Sequence, residues 1–599
     1  MSDPQARHLS RRHFLAGLTA TAGAAILAAC GGETPTVAPA APAATSPATT
    51  GTGPTVAPAT MATRPAGAVS PAAPAINNAP GMMQSNAVPT PPANVPKGGT
   101  FTRALVGTDA KSFHPYLTSD TVSSAYQGYV FTGGLVDYDP NTLDLVPNLA
   151  EKFEISPDKK TYTFTLRDNV KWSDGKALTT DDYVWTFEQI KKPENKYPYR
   201  DNLKEVVSYT AKDPRTLVIT LTEPLVTGLS DADAVSIPLP RHIWEKYDWT
   251  DAAKNPEINA PTVTSGPLKL KEWRRDSQAT FVANDTYWEG RPNIDTFVTR
   301  VFGNQTLAYQ ALKGNEVDYA GFQQSDYKEA KGLANIAVPE WYAANGSWSY
   351  IGLNLRRPAL KDPLVRKAIS YATDRAGLIE GVLFGLGRPL ASPFPQSSWA
   401  TTNAVEKYEF DVKRAADTFK QAGYTLQGNR LVKDGQQLIL KALYATGSKT
   451  TENIVAVIQQ QMGDLGVKID AQAVEFQALL EATKKEPFDW DLFFGGWSAT
   501  IEPYYMYQIW AETSIPELNR GGYVNKDVER LFDLSAREFD REKRKVIFAE
   551  IQKRITDDAP YVFLYESRSY VGINKRVGGV PIGPTGPYDL HKWYITGSR

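Results

Sequence analysis

The sequence predicts an α/β body behind an export leader and a long low-complexity spacer. Three observations carry this reading. Short alternating segments of strand type recur between helical segments that begin on capping residues. The stretch beyond residue 97, roughly 500 residues, exceeds what one hydrophobic core organises, so at least two domains are expected. The only cysteine among 599 residues closes a basic, then apolar, then small-residue head.

That head comes first. Adjacent Arg11 and Arg12 precede an apolar stretch beginning at Phe14, and Leu27-Ala-Ala-Cys30 closes it. This order is that of a secretory leader, too short for an ordinary membrane-spanning helix. Residues 1–29 are expected to be the signal peptide and Cys30 the lipid-modified first residue of the mature chain. The paired arginines favour the twin-arginine export route over the general secretory one; both lead to the same side of the membrane. A diacylglycerol-modified cysteine supplies the two chains that stable anchoring requires. No second cysteine remains for a disulfide.

Residues 30–97 are expected to be the lipidated cysteine and a disordered linker. Ala, Pro, Thr, Ser and Gly dominate this segment, with too few large apolar side chains to nucleate a core. Frequent prolines keep such a tether extended.

Within the body, Tyr162–Leu166 and Leu217–Leu221 alternate as half-buried strands do, the second following the Asp213-Pro214 turn signal. The segment from Thr180 to Ile190 reads as a helix capped by Thr180, with Asp181 and Asp182 at the positive end of its dipole. Asp362-Pro363 opens another helix, with Leu364, Ala368, Ile369 and Ala372 on its apolar face. Ile454 to Leu465 and Val528 to Ile555 carry further helical periodicity. Leu438–Leu443, Val467–Ile469 and Asp491–Phe494 are strand candidates between them.

Catalytic constellations are missing. The five histidines (His8, His13, His114, His242, His591) are scattered, and no His-x-x-x-His pair occurs. The glycine pairs at 133, 495 and 521 form neither a dinucleotide fingerprint nor a phosphate loop. With 65 basic and 66 acidic residues the chain gives no electrostatic reason to expect nucleic acid. The chain reads as no enzyme, with no cofactor and no metal. Its 13 Trp, 29 Tyr and 23 Phe could line a cleft as well as fill cores.

Four blocks then stand out in order. They are Asn148 to Lys176, ending in Trp172-Ser-Asp-Gly175; Ser265-Gly-Pro-Leu268 with Trp273, Tyr287 and Trp288; Ile351-Gly-Leu-Asn354 followed by Val365 to Arg375; and Gly495-Gly-Trp497 with Glu502-Pro503. Together they resemble the family 5 extracellular solute-binding proteins, the peptide, dipeptide and nickel receptors of ATP-driven importers. The resemblance runs from about residue 98 to the end of the chain.

The resemblance implies a bilobed periplasmic-binding-protein-like α/β fold (type II, cluster C) with an extra subdomain in lobe one. Lobe I would comprise 98–347 and 566–599, and lobe II 348–565. It implies a lipid-anchored protein on the outer face of the cell membrane that hands an oligopeptide, an oligosaccharide or another small solute to ABC permease subunits. A sensor or binding module without transport is the alternative.

Ligand contacts implied by position are Phe113 and His114 in the first loop, Asn354, Trp399 behind Pro393-Phe-Pro395, and Trp497, Thr500, Glu502 and Tyr504 around the Gly-Gly-Trp loop. The Trp-Ser-Asp-Gly turn is assigned to fold stability. Peptide-binding relatives place an aspartate three residues after the tryptophan matching Trp497 to pair with the peptide ammonium. Here the position holds Thr500, whose hydroxyl cannot offset a charge. Glu502 is the candidate substitute.

Overall fold

The computed structural model describes residues 94–118 and 120–597. The signal peptide, Cys30 and nearly all of the spacer lie outside these residues. Two open sheets dominate the body. In the first, seven strands run in the order Ile336–Ala337, Gly572–Asn574, Tyr319–Ala320, Thr100–Val106, Thr296–Phe302, Gln278–Ala283, Leu268–Arg274. Thr100–Val106 pairs in parallel with Thr296–Phe302 along its whole length. Phe101 and Leu105 enter one core while Ala104 enters the core on the opposite face, the period-2 alternation of a strand covered on both sides. The carboxylate of Asp318, fully buried, accepts the Thr102 N–H at 2.8 Å and the Arg576 guanidinium at 2.6 and 2.7 Å, which ties the C-terminal segment to this sheet.

A separate four-stranded antiparallel sheet, ordered Ala150–Ile155, Thr161–Leu166, Thr216–Leu221, Val206–Ala211, is inserted between the first strand and the rest of that sheet. Tyr162, Phe164 and Leu166 alternate inward, and so do Leu217, Ile219 and Leu221; with Phe187 and Ile190 of the helix Thr180–Lys191 they belong to one core. The Trp172-Ser-Asp-Gly175 turn closes beside this core. Gly175 sits at φ 89°, a region open to glycine, and its N–H donates to the Trp172 carbonyl at 2.9 Å. The Trp172 indole donates to Asp182 at 3.3 Å, and Asp174 pairs with His242 at 2.8 Å. The Ser173 hydroxyl accepts the Thr264 N–H at 3.0 Å, so the turn's side chains are engaged with the fold.

The second sheet orders Gly387–Pro389, Tyr561–Ser567, Ser347–Leu353, Leu492–Ser498, Ile439–Ala445, Lys468–Val474. Val562 and Leu564 enter one core, and Tyr561 and Phe563 the other. The chain passes from the first sheet to the second at 342–346 and returns after Ser567. Buried Arg366 donates to the carbonyls of Asp558 at 2.5 Å and Ala559 at 3.2 Å, capping the C-terminal end of the helix Arg541–Asp558, and also to Leu360 and Lys361. Buried Arg375 donates to carbonyls of Ser370, Tyr408 and Phe563, and burial lowers its pKa to about 10. The Val365 to Arg375 block is thus a pair of guanidinium clamps on backbone.

Two local expectations change. The helix at 180 is capped by Thr179, with Asp182 returning a bond to the Thr179 N–H at 3.0 Å, while the Thr180 hydroxyl donates to the Asp213 carbonyl. The run Val528 to Ile555 is two helices, Lys526–Arg537 and Arg541–Asp558, because Asp540 caps the second by accepting from the Glu542 and Lys543 N–H groups.

Candidate functional site

The strand Leu492–Ser498 carries the site. On one side it pairs with Ser347–Leu353 along its full length. On the other it meets Ile439–Ala445 only through Leu492 and Phe493, so 494–498 has no strand partner on that edge among the described residues. Gly495 is obligatory here, since a Cβ would come within 2.8 Å of the Tyr350 hydroxyl and 2.9 Å of the Phe493 ring. Trp497 is half-buried, its ring parallel to Tyr350 with centroids 6.2 Å apart; Tyr350 in turn stacks on Tyr561 at 4.2 Å. The strand therefore offers an open backbone edge beside an aromatic face held from beneath.

The loop that follows is tightly organised. The Thr500 hydroxyl donates to the Glu502 carbonyl at 2.8 Å, and the Glu502 carboxylate caps the next turn by accepting the Tyr504 N–H at 2.9 Å. That carboxylate also takes both Nη groups of Arg544, at 3.0 and 2.5 Å. Tyr504 is buried and lies parallel to Tyr507 at 6.3 Å. Trp399 stands behind the loop. Its indole N–H donates to the Ile501 carbonyl at 3.1 Å, and the guanidinium groups of Arg541 and Arg544 lie 4.8 and 5.1 Å from its ring.

This loop faces elements belonging with the four-stranded sheet. Tyr505 lies near Ser230, Asp231 and Tyr138, and burial raises its pKa well above the ordinary tyrosine value. Close by, the Val226 N–H donates to the Ala536 carbonyl at 2.9 Å, and Arg541 reaches Asp144 at 2.5 Å. The sequence expectations for Trp497, Thr500, Glu502 and Tyr504 converge on one place, with Trp399 as its backing.

Three candidates lie elsewhere. Phe113 is fully buried, edge-on to Trp273 and beside Tyr126 and Phe281. His114 is fully buried between Trp244 and Trp249, its Nδ1 accepting the Tyr116 N–H at 3.1 Å; burial lowers its pKa to about 3. Asn354 is fully buried and spent: its amide donates to the carbonyls of Phe488 and Trp490, and its oxygen accepts from Arg356. It fastens the 488–490 turn. These three serve cores and turns. Arg544, Tyr138 and Ser230 complete the site; each is remote in sequence from the loop, and no local pattern marks them.

No group of three or more His, Cys, Asp and Glu side chains is placed to hold a metal among the described residues. Two open sheets, a double crossing between them and a loop from one facing the other's added sheet place the molecule among the two-lobed α/β binding proteins. Residues 144–516 match the family described as bacterial extracellular solute-binding proteins, family 5 Middle, and the chain belongs to that family. It is an extracytoplasmic solute-binding component of an ABC importer.

Similar proteins include the oligopeptide-binding protein AppA of Bacillus subtilis, 26% identical over 522 residues covering 86% of this chain and 95% of AppA. The structure of that AppA with a nonapeptide superposes at a TM-score of 0.66, covering 84% of this chain and all of the other. The Listeria monocytogenes ABC transporter substrate-binding protein CtaP gives 0.74 at 27% identity, with 84% of this chain and 100% of CtaP covered. The dipeptide-binding protein of Escherichia coli is 26% identical over 504 residues, 80% of this chain and 91% of that protein.

Proposed function

We propose that the protein captures short peptides between its lobes and passes them to the permease of its importer, held at the outer face of the membrane through Cys30. The observation that carries this reading is the open edge at 494–498. A peptide in extended form satisfies its own N–H and C=O groups by adding to such an edge, as in strand-addition recognition generally. Trp497 would cover one of its side chains, and Thr500 and Tyr504 would border its leading end. The names of the relatives, which speak of oligopeptides and dipeptides, agree with it.

In this reading lobe I spans 98–347 and 566–599, and lobe II spans 348–565, a type II, cluster C arrangement. The four-stranded sheet is the extra subdomain of lobe I. The strand membership of the two large sheets supports the division. An oligosaccharide is the competing solute, because Trp497 would suit a sugar ring equally; the edge at 494–498, with no strand beside it among the described residues, favours the peptide. Isothermal titration calorimetry of the protein against two- to nine-residue peptides and against oligosaccharides tests it. Micromolar or tighter binding to peptides alone is expected, and binding to glycans alone overturns it.

A further inference from the structure

We propose that Arg544 sets the charge preference of the cleft by occupying Glu502, so that the solute's leading end is read as an uncharged group. The inference rests on the peptide reading above and names its class: N-acylated, N-cyclised or internal amide segments.

Glu502 is the single carboxylate between Leu492 and Trp510. It sits where the open edge ends and near Tyr138 and Tyr505, at the junction of the lobes. Unpaired, it would be the natural seat for an ammonium. Arg544 removes that possibility. The two side chains are 8% and 17% exposed and meet in the two-pronged geometry that a guanidinium and a carboxylate favour. Arg544 cannot swing away easily: its Nε donates to the Ser535 carbonyl at 3.1 Å and its plane lies near the rings of Trp399 and Phe548. Its neighbour Arg541 is engaged with Asp144.

Thr500 offers only lone pairs, since its proton already points to the Glu502 carbonyl. An arriving ammonium would shed water and gain no opposite charge, which is costly in a closed site. An acylated end loses nothing comparable. The pair thus acts as a neutral stopper built from two charges, and each half is a latent selectivity of opposite sign.

The test compares one peptide sequence with a free and with an acetylated amino terminus, by calorimetry on the whole protein. Wild type is expected to bind the acetylated peptide more than fivefold more tightly at pH 6, the gap narrowing by pH 9 because a free α-amino group loses its proton near pH 8. Arg544→Gln uncovers Glu502 and should favour the free amine more than fivefold at pH 6, the advantage fading by pH 9. Glu502→Gln, leaving Arg544 unpaired, should widen the wild-type disadvantage of the free amine more than fivefold at pH 6. The double variant should return to the wild-type ratio, which a merely structural role would not produce.

Failure of the wild type to favour the acetylated peptide at pH 6 overturns the proposal, as does an unchanged ratio in whichever single variant folds. If no peptide binds, the peptide reading fails on its own account. Thermal shifts with ethylammonium then read the pair directly. Stabilisation confined to Arg544→Gln supports the assignment, and equal shifts in wild type, Arg544→Gln and the double variant refute it.

Discussion

Burial fixes His114 as a neutral wedge between two indoles, and that state has a pH signature. Its pKa falls from 6.5 to about 3 on folding. Between those values the unfolded chain binds a proton that the native state refuses, so stability rises with pH across this window. The contribution is whole above pH 6.5 and shrinks by about 1.4 kcal/mol per pH unit below it. Replacing His114 with Gln should flatten the urea-midpoint profile between pH 6.5 and pH 4; a wild-type slope that survives the change removes the account. Asn354 makes a second residue-scale case. Asn354→Ala deletes an amide that bonds two carbonyls and a guanidinium, at a cost of about 2–3 kcal/mol for groups left buried and unmatched. Chemical denaturation measures it. Neither residue betrayed its role in the sequence, because a polar side chain in a loop reads the same whether it meets a ligand or a backbone carbonyl. Glu502 is harder still: its partner lies 42 positions away on a helix whose own pattern speaks only of a buried stripe.

Elements were more legible, since their signals are local. Alternation located Thr161–Leu166 and Thr216–Leu221 within one residue, and Asp362-Pro363 marked a true helix start whose cap accepts the Leu364 N–H at 2.9 Å. The second sheet's strands at 439, 468 and 492 were found short, because their ends carry small or polar residues where the sheet opens. The long helical run failed at 538–540 because Glu and Phe continue the pattern there while Asp540 quietly restarts it. Two motifs gain element-scale reasons. At Gly266 a Cβ would stand 2.6 Å from the Val130 carbonyl carbon and 2.7 Å from the Phe131 nitrogen, so backbone crosses backbone where no side chain fits. Gly266→Ala should therefore lower stability by about 3 kcal/mol or more, the scale of a forced overpacking, read as a fall in melting temperature. Arg366 caps the C-terminal end of the helix Arg541–Asp558 through a planar fork. Lysine keeps the charge but not the fork. Arg366→Lys should lose about 1–3 kcal/mol of stability, since buried carbonyls go unmatched; hydrogen exchange should locate the loss at the last turn of that helix.

At the scale of the whole molecule, three contacts join the segment after the Gly-Gly-Trp loop to the elements around the four-stranded sheet. The Val226 N–H bonds the Ala536 carbonyl, Tyr505 lies beside Ser230, and Arg541 reaches Asp144. These three differ in weight. The ion pair is 36% and 57% exposed, so water and salt leave it little. The backbone bond, with Ala536 buried, is worth about 0.5–1.5 kcal/mol. Together they bias the lobes toward closure, which lowers what the solute itself must supply, because a ligand can shift such an equilibrium only by its differential affinity. Val226→Pro removes the donor of the bond to Ala536. Loss of about 1 kcal/mol shifts the open-to-closed ratio by roughly fivefold, a factor of ten per 1.4 kcal/mol. Small-angle scattering of the solute-free variant should show a larger radius of gyration than wild type, and saturating solute should bring the two together. Apparent affinity should weaken by the same factor through faster release. If the solute-free scattering curves of variant and wild type coincide, the bond between Val226 and Ala536 carries no part of the closure.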